Sequence, residues 1–293
     1  MKKPLFTGSA VALVTPFKGD KIDYEKLGEL IDYHIEHKTD AVVICATTGE
    51  APTISNEDHL ATLKFAAEYA AGRITVIAGT GSNDTRHAVM FSEYAEKVGC
   101  DGLLLVTPYY NKATQKGLYL HFKAVADRVS IPIILYNIPG RTGCSISIDT
   151  FKKLDKIPNI IGVKEATGNL ALAGQIAAYT DLVLYSGNDD VILPMMSLGG
   201  KGVISVIANI LPDETHDVCQ KFLDGDTDGA RADYLKMIEL VHALFIEVNP
   251  IPIKTAMNLL GFNVGEVRLP LCSMEEENLE KLKQAMRNYG LNF

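Results

Sequence analysis

The apolar run Ile160, Ile161, Gly162, Val163 ends in Lys164. Lysine is seldom placed among apolar neighbours without a partner or a task. Desolvation at such a position penalises an ammonium and favours the free amine, a nucleophile that forms an imine with a carbonyl compound. The plainer reading is a lysine paired with Glu165 or with a carboxylate from a nearby loop. Tyr136 ends a second apolar run. A polarised phenol there could carry protons to and from a reacting group; on its own such a residue is more often a core tyrosine with a satisfied hydroxyl. A third run leads into Thr47-Thr48-Gly49-Glu50. The threonine hydroxyls suit a proton relay, and backbone amides at the Gly49 turn suit a carboxylate. Arg141, within Gly140-Arg141-Thr142-Gly143, has the planar donor fork that grips carboxylates, although an exposed arginine is usually solvated surface.

Other chemistries find less support. The seven histidines are scattered and form neither HxH nor HExxH, so no metal site is expected. His34 and His37, three apart, read as partly exposed helix residues. No GxSxG nucleophile turn occurs. Met195-Met196 read as core filling.

These residues need a scaffold that brings them together. Eight short runs rich in Val, Ile and Leu lie at 10–14, 41–46, 74–78, 103–106, 131–136, 160–163, 182–185 and 203–207. Consecutive apolar positions fit parallel strands covered on both faces. Helical periodicity fills the gaps: Leu27, Leu30, Ile31 and Ile35 share a face after Asp23. Ser55 with Asp58 resembles a capping box, and Asn83 opens a stretch that Gly99 closes. Eight strand–helix units favour an α/β fold closed as a (β/α)8 TIM barrel, with chemistry at the C-terminal ends of the strands. A doubly wound sheet is the rival, but its glycine-rich phosphate loop is missing after the first run. Beyond Gly225 only helical signals remain, and Ser273 to Glu276 reads as the cap of the last helix. The chain is therefore divided into a catalytic barrel, 1–225, and a small C-terminal helical domain, 226–293.

Composition narrows the partners. Hydrophobic residues are 47% of 293, enough for a sizeable core, and the net charge is −8. An acidic total argues against nucleic-acid or anionic-membrane partners, and an anionic substrate would have to be drawn in by local cations. Five cysteines, odd in number and without a CxxC pair, read as reduced thiols of a cytoplasmic protein. The start, with Pro16 ending its apolar stretch, reads as a first strand rather than a signal peptide. No run approaches the about 18 residues of a membrane span.

With these motifs the chain resembles the dihydrodipicolinate synthase and N-acetylneuraminate lyase family. The shared pieces are GSAVALVTP at 8–16, TTGE at 47–50, AGTGSN at 78–83, VTPYYNK at 106–112, YNIPGRTG at 136–143, GVKEATG at 162–168, SGND at 186–189, GVISV at 202–206 and NPIPIK at 249–254. They span nearly the whole chain in family order. The resemblance implies that Lys164 forms an imine with pyruvate, that the derived enamine attacks aspartate semialdehyde, and that cyclisation gives the precursor of diaminopimelate and lysine. Tyr136, Thr47 and Tyr110 would form the proton relay. Tyr110 would come from a neighbouring subunit, which implies a homo-oligomer, at least a dimer and commonly a tetramer. Arg141 would hold the semialdehyde carboxylate, Thr48 and the backbone near Thr47 the pyruvate carboxylate, and Gly187 and Ile204 would touch substrate through backbone groups. No metal or organic cofactor is implied, because the protonated imine is itself the electron sink. Alternatives are a sugar-acid lyase of the same family, which the GRTG motif and the Thr47-Thr48 pair disfavour, and a non-catalytic binding barrel. Lysine-sensitive members bind the inhibitor near the positions of Ala51, Pro52, Asn56, His59, Asn83, His87 and Tyr109. Here His87 stands where an acidic residue would hold the lysine ammonium, so feedback inhibition is expected to be weak or absent.

Overall fold

Runs of Val, Ile and Leu that are apolar at every position must be covered on both faces, and the eight runs become eight parallel strands of a closed barrel. The computed structural model describes residues 2–293. The strands are β1 (Gly8–Ala12), β2 (Phe17–Lys18), β3 (Lys21–Ile22), β4 (Ala41–Ile44) and β5 (Thr75–Gly79). They continue with β6 (Gly102–Val106), β7 (Ile133–Asn137), β8 (Ile160–Glu165), β9 (Val183–Ser186) and β10 (Gly202–Ser205). The barrel order is β1-β10-β9-β8-β7-β6-β5-β4, and β4 pairs back onto β1. The antiparallel hairpin β2–β3 lies outside it and was not foreseen, because two-residue strands carry no periodicity.

The helices up to the last barrel strand are α1 (Tyr24–Glu36), α2 (Asn56–Ala70), α3 (Thr85–Lys97), α4 (Gln115–Ala126), the single turn α5 (Pro139–Thr142), α6 (Ile148–Leu154), α7 (Leu170–Tyr179) and α8 (Ile192–Ser197). After it come α9 (Pro212–Leu223), α10 (Thr227–Ala243), α11 (Ile251–Leu259) and α12 (Glu276–Tyr289). Asp23 and Ser55 cap α1 and α2 by accepting from the Lys26 and Asp58 amides. Two expected caps move. Asp84, not Asn83, caps α3, and Glu275 precedes α12 without a side-chain cap bond. His34 is also corrected: it is fully buried, with Nδ1 on the Thr39 hydroxyl at 2.8 Å. The expected boundary at Gly225 falls on a left-handed residue between α9 and α10, which pack on each other.

Two apolar layers follow from strand alternation. Val11, Val42, Val76, Leu103, Leu135 and Val163 face the helices. Ala12, Val43, Ile77, Leu104, Ile134 and Tyr185 fill the barrel interior. One irregularity decides the direction of Lys164. Ile133 pairs with Ile160 but Ile134 with Gly162, so β8 carries one extra residue, Ile161. Ile160 faces the helices, as does Val163. Plain alternation from Ile160 would send residue 164 outward; the bulge turns it inward.

Candidate active site

Lys164 is 4% exposed and sits in register between Tyr136 of β7 and Tyr185 of β9. Its Nζ lies 4.3 Å from the centroid of the Tyr136 ring. Among the described residues no carboxylate comes within ion-pair distance of it. Glu165, the alternative partner, points to the other face of β8, where it accepts from Asn137 Nδ2 at 2.8 Å and from the Thr167 amide at 2.7 Å. Burial pushes the Glu165 carboxyl above its usual range. Asp189, also buried, accepts from the Val206 and Ile207 amides at 3.0 Å each. It too is raised by burial, with those amides, Ser205 and the Lys164 charge pulling it back.

The two flanking tyrosines are not equivalent. Tyr185 donates its hydroxyl to the Phe6 carbonyl at 2.8 Å, and burial raises its pKa further, so its proton is committed to the barrel floor. The Tyr136 hydroxyl makes no hydrogen bond among the described residues, nor does that of Thr47. Both residues line a cavity of about 510 Å³ at the C-terminal end of the barrel. Tyr136 is therefore the phenol that a substrate can use.

The turn after β4 is held under strain. Cys45 and Glu50, at its two ends, are both left-handed (φ 55° and 56°), a costly backbone state for such residues. The amides of Thr47, Thr48 and Gly49 donate to no acceptor among the described residues, which leaves them open to an anion. Thr48 is buried, and its hydroxyl pairs with Asn249 Nδ2 at 3.0 Å. Glu50 is buried and paired with Lys254 Nζ at 2.9 Å, while its other oxygen accepts from the Arg268 amide at 2.8 Å.

Arg141 lies on α5, exposed at the cavity wall, and Nη2 donates to the Asn249 carbonyl at 3.0 Å. Its loop is pinned from beneath. The Thr107 hydroxyl donates to that of Thr142 at 2.9 Å, and Asn137 Oδ1 accepts from the Ile146 amide at 3.1 Å. The Asn137 amide is oriented in turn by Glu165.

The remaining expected residues are not all brought to this cavity. Gly187 and Ile204 do not line it, and neither do Lys164, which lies behind its wall against the Tyr136 ring, or Thr48, which pairs with the lining residue Asn249. The Gly187 amide is taken by the Glu165 carbonyl at 2.8 Å, which leaves only its own carbonyl for a ligand. A Cβ at Gly187 would lie 2.6 Å from that of Ala166, so glycine is needed there. Ile204 is paired with Ala10, its side chain in the barrel interior. Tyr110 is 90% exposed, left-handed (φ 73°), and outside the cavity of its own chain.

The outer arm of the cavity is lined by Ala51, Pro52, Asn56, His59, His87 and Tyr109; Asn83 lies off it, its carbonyl accepting from Asn111 at 2.9 Å. His59 stacks on Phe91 with centroids 4.4 Å apart, and its Nε2 meets the Gly79 carbonyl at 2.9 Å. Burial lowers its pKa to about 4, so it is neutral. Among the described residues the one carboxylate on the cavity wall, Glu50, is already paired.

Asn249 and Lys254 went unassigned in the sequence. Lys254 follows Ile251-Pro252-Ile253, the same signal that singles out Lys164. The difference between the two is a partner 204 residues away, which no local pattern shows. Among the described residues no group of three or more His, Cys, Asp or Glu is arranged to hold a metal ion. Cys45, Cys100, Cys144, Cys219 and Cys272 are free thiols. No helix among the described residues is long and apolar enough to cross a membrane.

Comparison with known proteins agrees with this geometry. The family model described as the Dihydrodipicolinate synthetase family matches residues 5–289. The 4-hydroxy-tetrahydrodipicolinate synthase of Caldicellulosiruptor saccharolyticus is 56% identical over 291 residues, covering 99% of each chain. The crystal structure of dihydrodipicolinate synthase from Aquifex aeolicus matches with a TM-score of 0.95 at 49% identity, over 98% of this chain and 99% of that one. The chloride-inhibited dihydrodipicolinate synthase of Acinetobacter baumannii, complexed with pyruvate, matches with a TM-score of 0.94 at 43% identity, over 98% and 99% of the two chains.

Proposed function

The chain belongs to the dihydrodipicolinate synthetase family, and on that footing we propose that it condenses pyruvate with L-aspartate 4-semialdehyde to 4-hydroxy-tetrahydrodipicolinate through an imine on Lys164. The observation that carries the reading is a buried amine without an acidic partner, lying on the ring of a tyrosine whose hydroxyl is free.

The Lys164 amine adds to the pyruvate ketone and water leaves, giving the protonated imine. Loss of a methyl proton to the relay of Thr47 and Tyr136 gives the enamine, with the iminium nitrogen taking up the electron pair. The enamine carbon bonds to the aldehyde carbon, and the new alkoxide takes a proton from the same relay. The amino group of the former semialdehyde then attacks the imine carbon, closes the ring and expels the lysine amine. One water is released in total, and no metal or organic cofactor takes part. The unclaimed amides of the 47–49 turn and the Thr48 hydroxyl receive the pyruvate carboxylate. Arg141 receives that of the semialdehyde and supplies the local cation that a chain of net charge −8 needs. The cytoplasm, where thiols stay reduced, is the setting we assign to it.

Tyr110 completes the relay from a second copy of the chain, since its ring is exposed and outside its own cavity. Mixing inactive Lys164→Ala and Tyr110→Phe subunits should then restore activity above that of either parent, and no restoration would remove the shared site.

Borohydride reduction in the presence of pyruvate tests the central claim. A stable pyruvate adduct on Lys164, absent from Lys164→Ala, is the expected result; no adduct on the active protein ends the aldolase reading. Turnover with pyruvate and aspartate semialdehyde, set against pyruvate with N-acetylmannosamine or glyceraldehyde, separates this reaction from the sugar-acid lyases.

A further inference from the structure

We infer that Asn249 is a positioning residue for this condensation, holding both carboxylate-binding groups from the C-terminal helical region. The inference rests on the function proposed above. Asn249 is 5% exposed and lines the cavity. Its Nδ2 pairs with the Thr48 hydroxyl at 3.0 Å, and its main-chain carbonyl accepts from Arg141 Nη2 at 3.0 Å. Its Oδ1 is buried without a hydrogen-bond partner. One residue therefore touches the group assigned to pyruvate through its side chain and the group assigned to the semialdehyde through its backbone.

The chemistry makes the amide specific. A threonine hydroxyl can either donate or accept. With Nδ2 donating to it, its own proton is turned away from Asn249 and is free for a carboxylate. Aspartate at this position would be nearly isosteric but would accept from Thr48, leaving lone pairs to face the pyruvate carboxylate.

The test is the split between the two substrates. Asn249→Ala should raise the KM for pyruvate about three- to tenfold, the worth of one net hydrogen bond, and move the KM for the semialdehyde far less, because the backbone carbonyl remains. Asn249→Asp should raise the pyruvate KM further. Thr48→Val combined with Asn249→Ala should match Thr48→Val alone, since the asparagine acts through that hydroxyl. The pyruvate concentration for half-maximal borohydride trapping should shift in parallel. If Asn249→Asp does not fold, Asn249→Ala carries the comparison. Wild-type pyruvate affinity in Asn249→Ala, equal shifts for both substrates, or full additivity with Thr48→Val would each overturn the role. Failure of the wild-type protein to trap pyruvate would instead overturn the assigned reaction.

Discussion

Replacing Lys254 by methionine should cost the protein much of its stability while leaving the reacting amine in place. Lys254 and Glu50 have side chains 2% and 1% exposed, and their atoms meet at 2.9 Å. The ammonium also donates to the Thr15 and Glu266 carbonyls at 3.1 and 2.9 Å and lies 4.3 Å from the Phe17 ring centroid. Burial pushes the Lys254 pKa down, against the pull of Glu50. Methionine keeps most of the volume but strands one buried carboxylate oxygen and two carbonyls. Removing one member of a buried pair costs about 3–5 kcal/mol, chiefly through the charge left behind. For a chain of this size that is on the order of 10 °C in melting temperature. Urea midpoints and thermal scans of Lys254→Met, Glu50→Gln and the double variant measure it. The double variant should recover a large part of the loss, because no bare charge remains. A loss below about 1 kcal/mol in Lys254→Met, or a double variant as unstable as the sum of the singles, would refute the reasoning. Since Glu50 ends the turn that carries Thr47 and Thr48, the pyruvate KM of the folded fraction should rise as well.

Tyr136→Phe should lower kcat by about a hundredfold or more with little change in stability, whereas Tyr185→Phe should stay active and lose about 1–3 kcal/mol, because the Phe6 carbonyl is left unpaired; matched rate and melting measurements separate the two. Three buried histidines, His34, His59 and His121, have pKa values lowered by burial to about 3, 4 and 4, against an ordinary 6.5. They stay neutral in the fold while the unfolded chain takes up protons, so stability present above pH 6.5 should be lost as the pH falls towards about 4, each histidine adding a slope of up to about 1.4 kcal/mol per pH unit; urea midpoints that do not move between neutral pH and this window would contradict the burial. L-Lysine should inhibit weakly or not at all, because the cavity arm at Asn56, His59 and His87 offers no unpaired carboxylate; His87→Glu should increase the inhibition, and micromolar inhibition of the unaltered protein would refute this.

The fold was legible because a barrel strand announces itself locally: eight apolar runs gave eight strands, with ends displaced by a few residues. Lys164, Tyr136, Thr47 and Arg141 were legible because they stand at the ends of those runs or on the loops just after. What escaped was long-range. The Lys254–Glu50 pair and the Asn249 bonds span 108 to 204 residues of chain, and no periodicity encodes a partner at that distance. The β2–β3 hairpin escaped for the opposite reason, being too short to have a pattern. His34 was misjudged because spacing alone does not reveal that Thr39 turns back to satisfy its ring.

The additional residue in β8 makes the aim of this barrel's amine sensitive to any further insertion. Whether the amine at position 164 meets solvent-filled chemistry or greasy helix depends on the parity of a count that begins at Ile160. Removing Ile161 would pair Gly162, Val163 and Lys164 with the same β7 residues in plain alternation and keep the amine inward. Adding one residue beside Ile161 with the bulge kept would instead leave every existing side chain of the segment chemically unaltered and yet exchange which ones look into the lumen. A search for variants restricted to substitutions would never sample that failure, and a designer grafting this amine onto another eight-stranded scaffold would have to transplant the frame along with the residue.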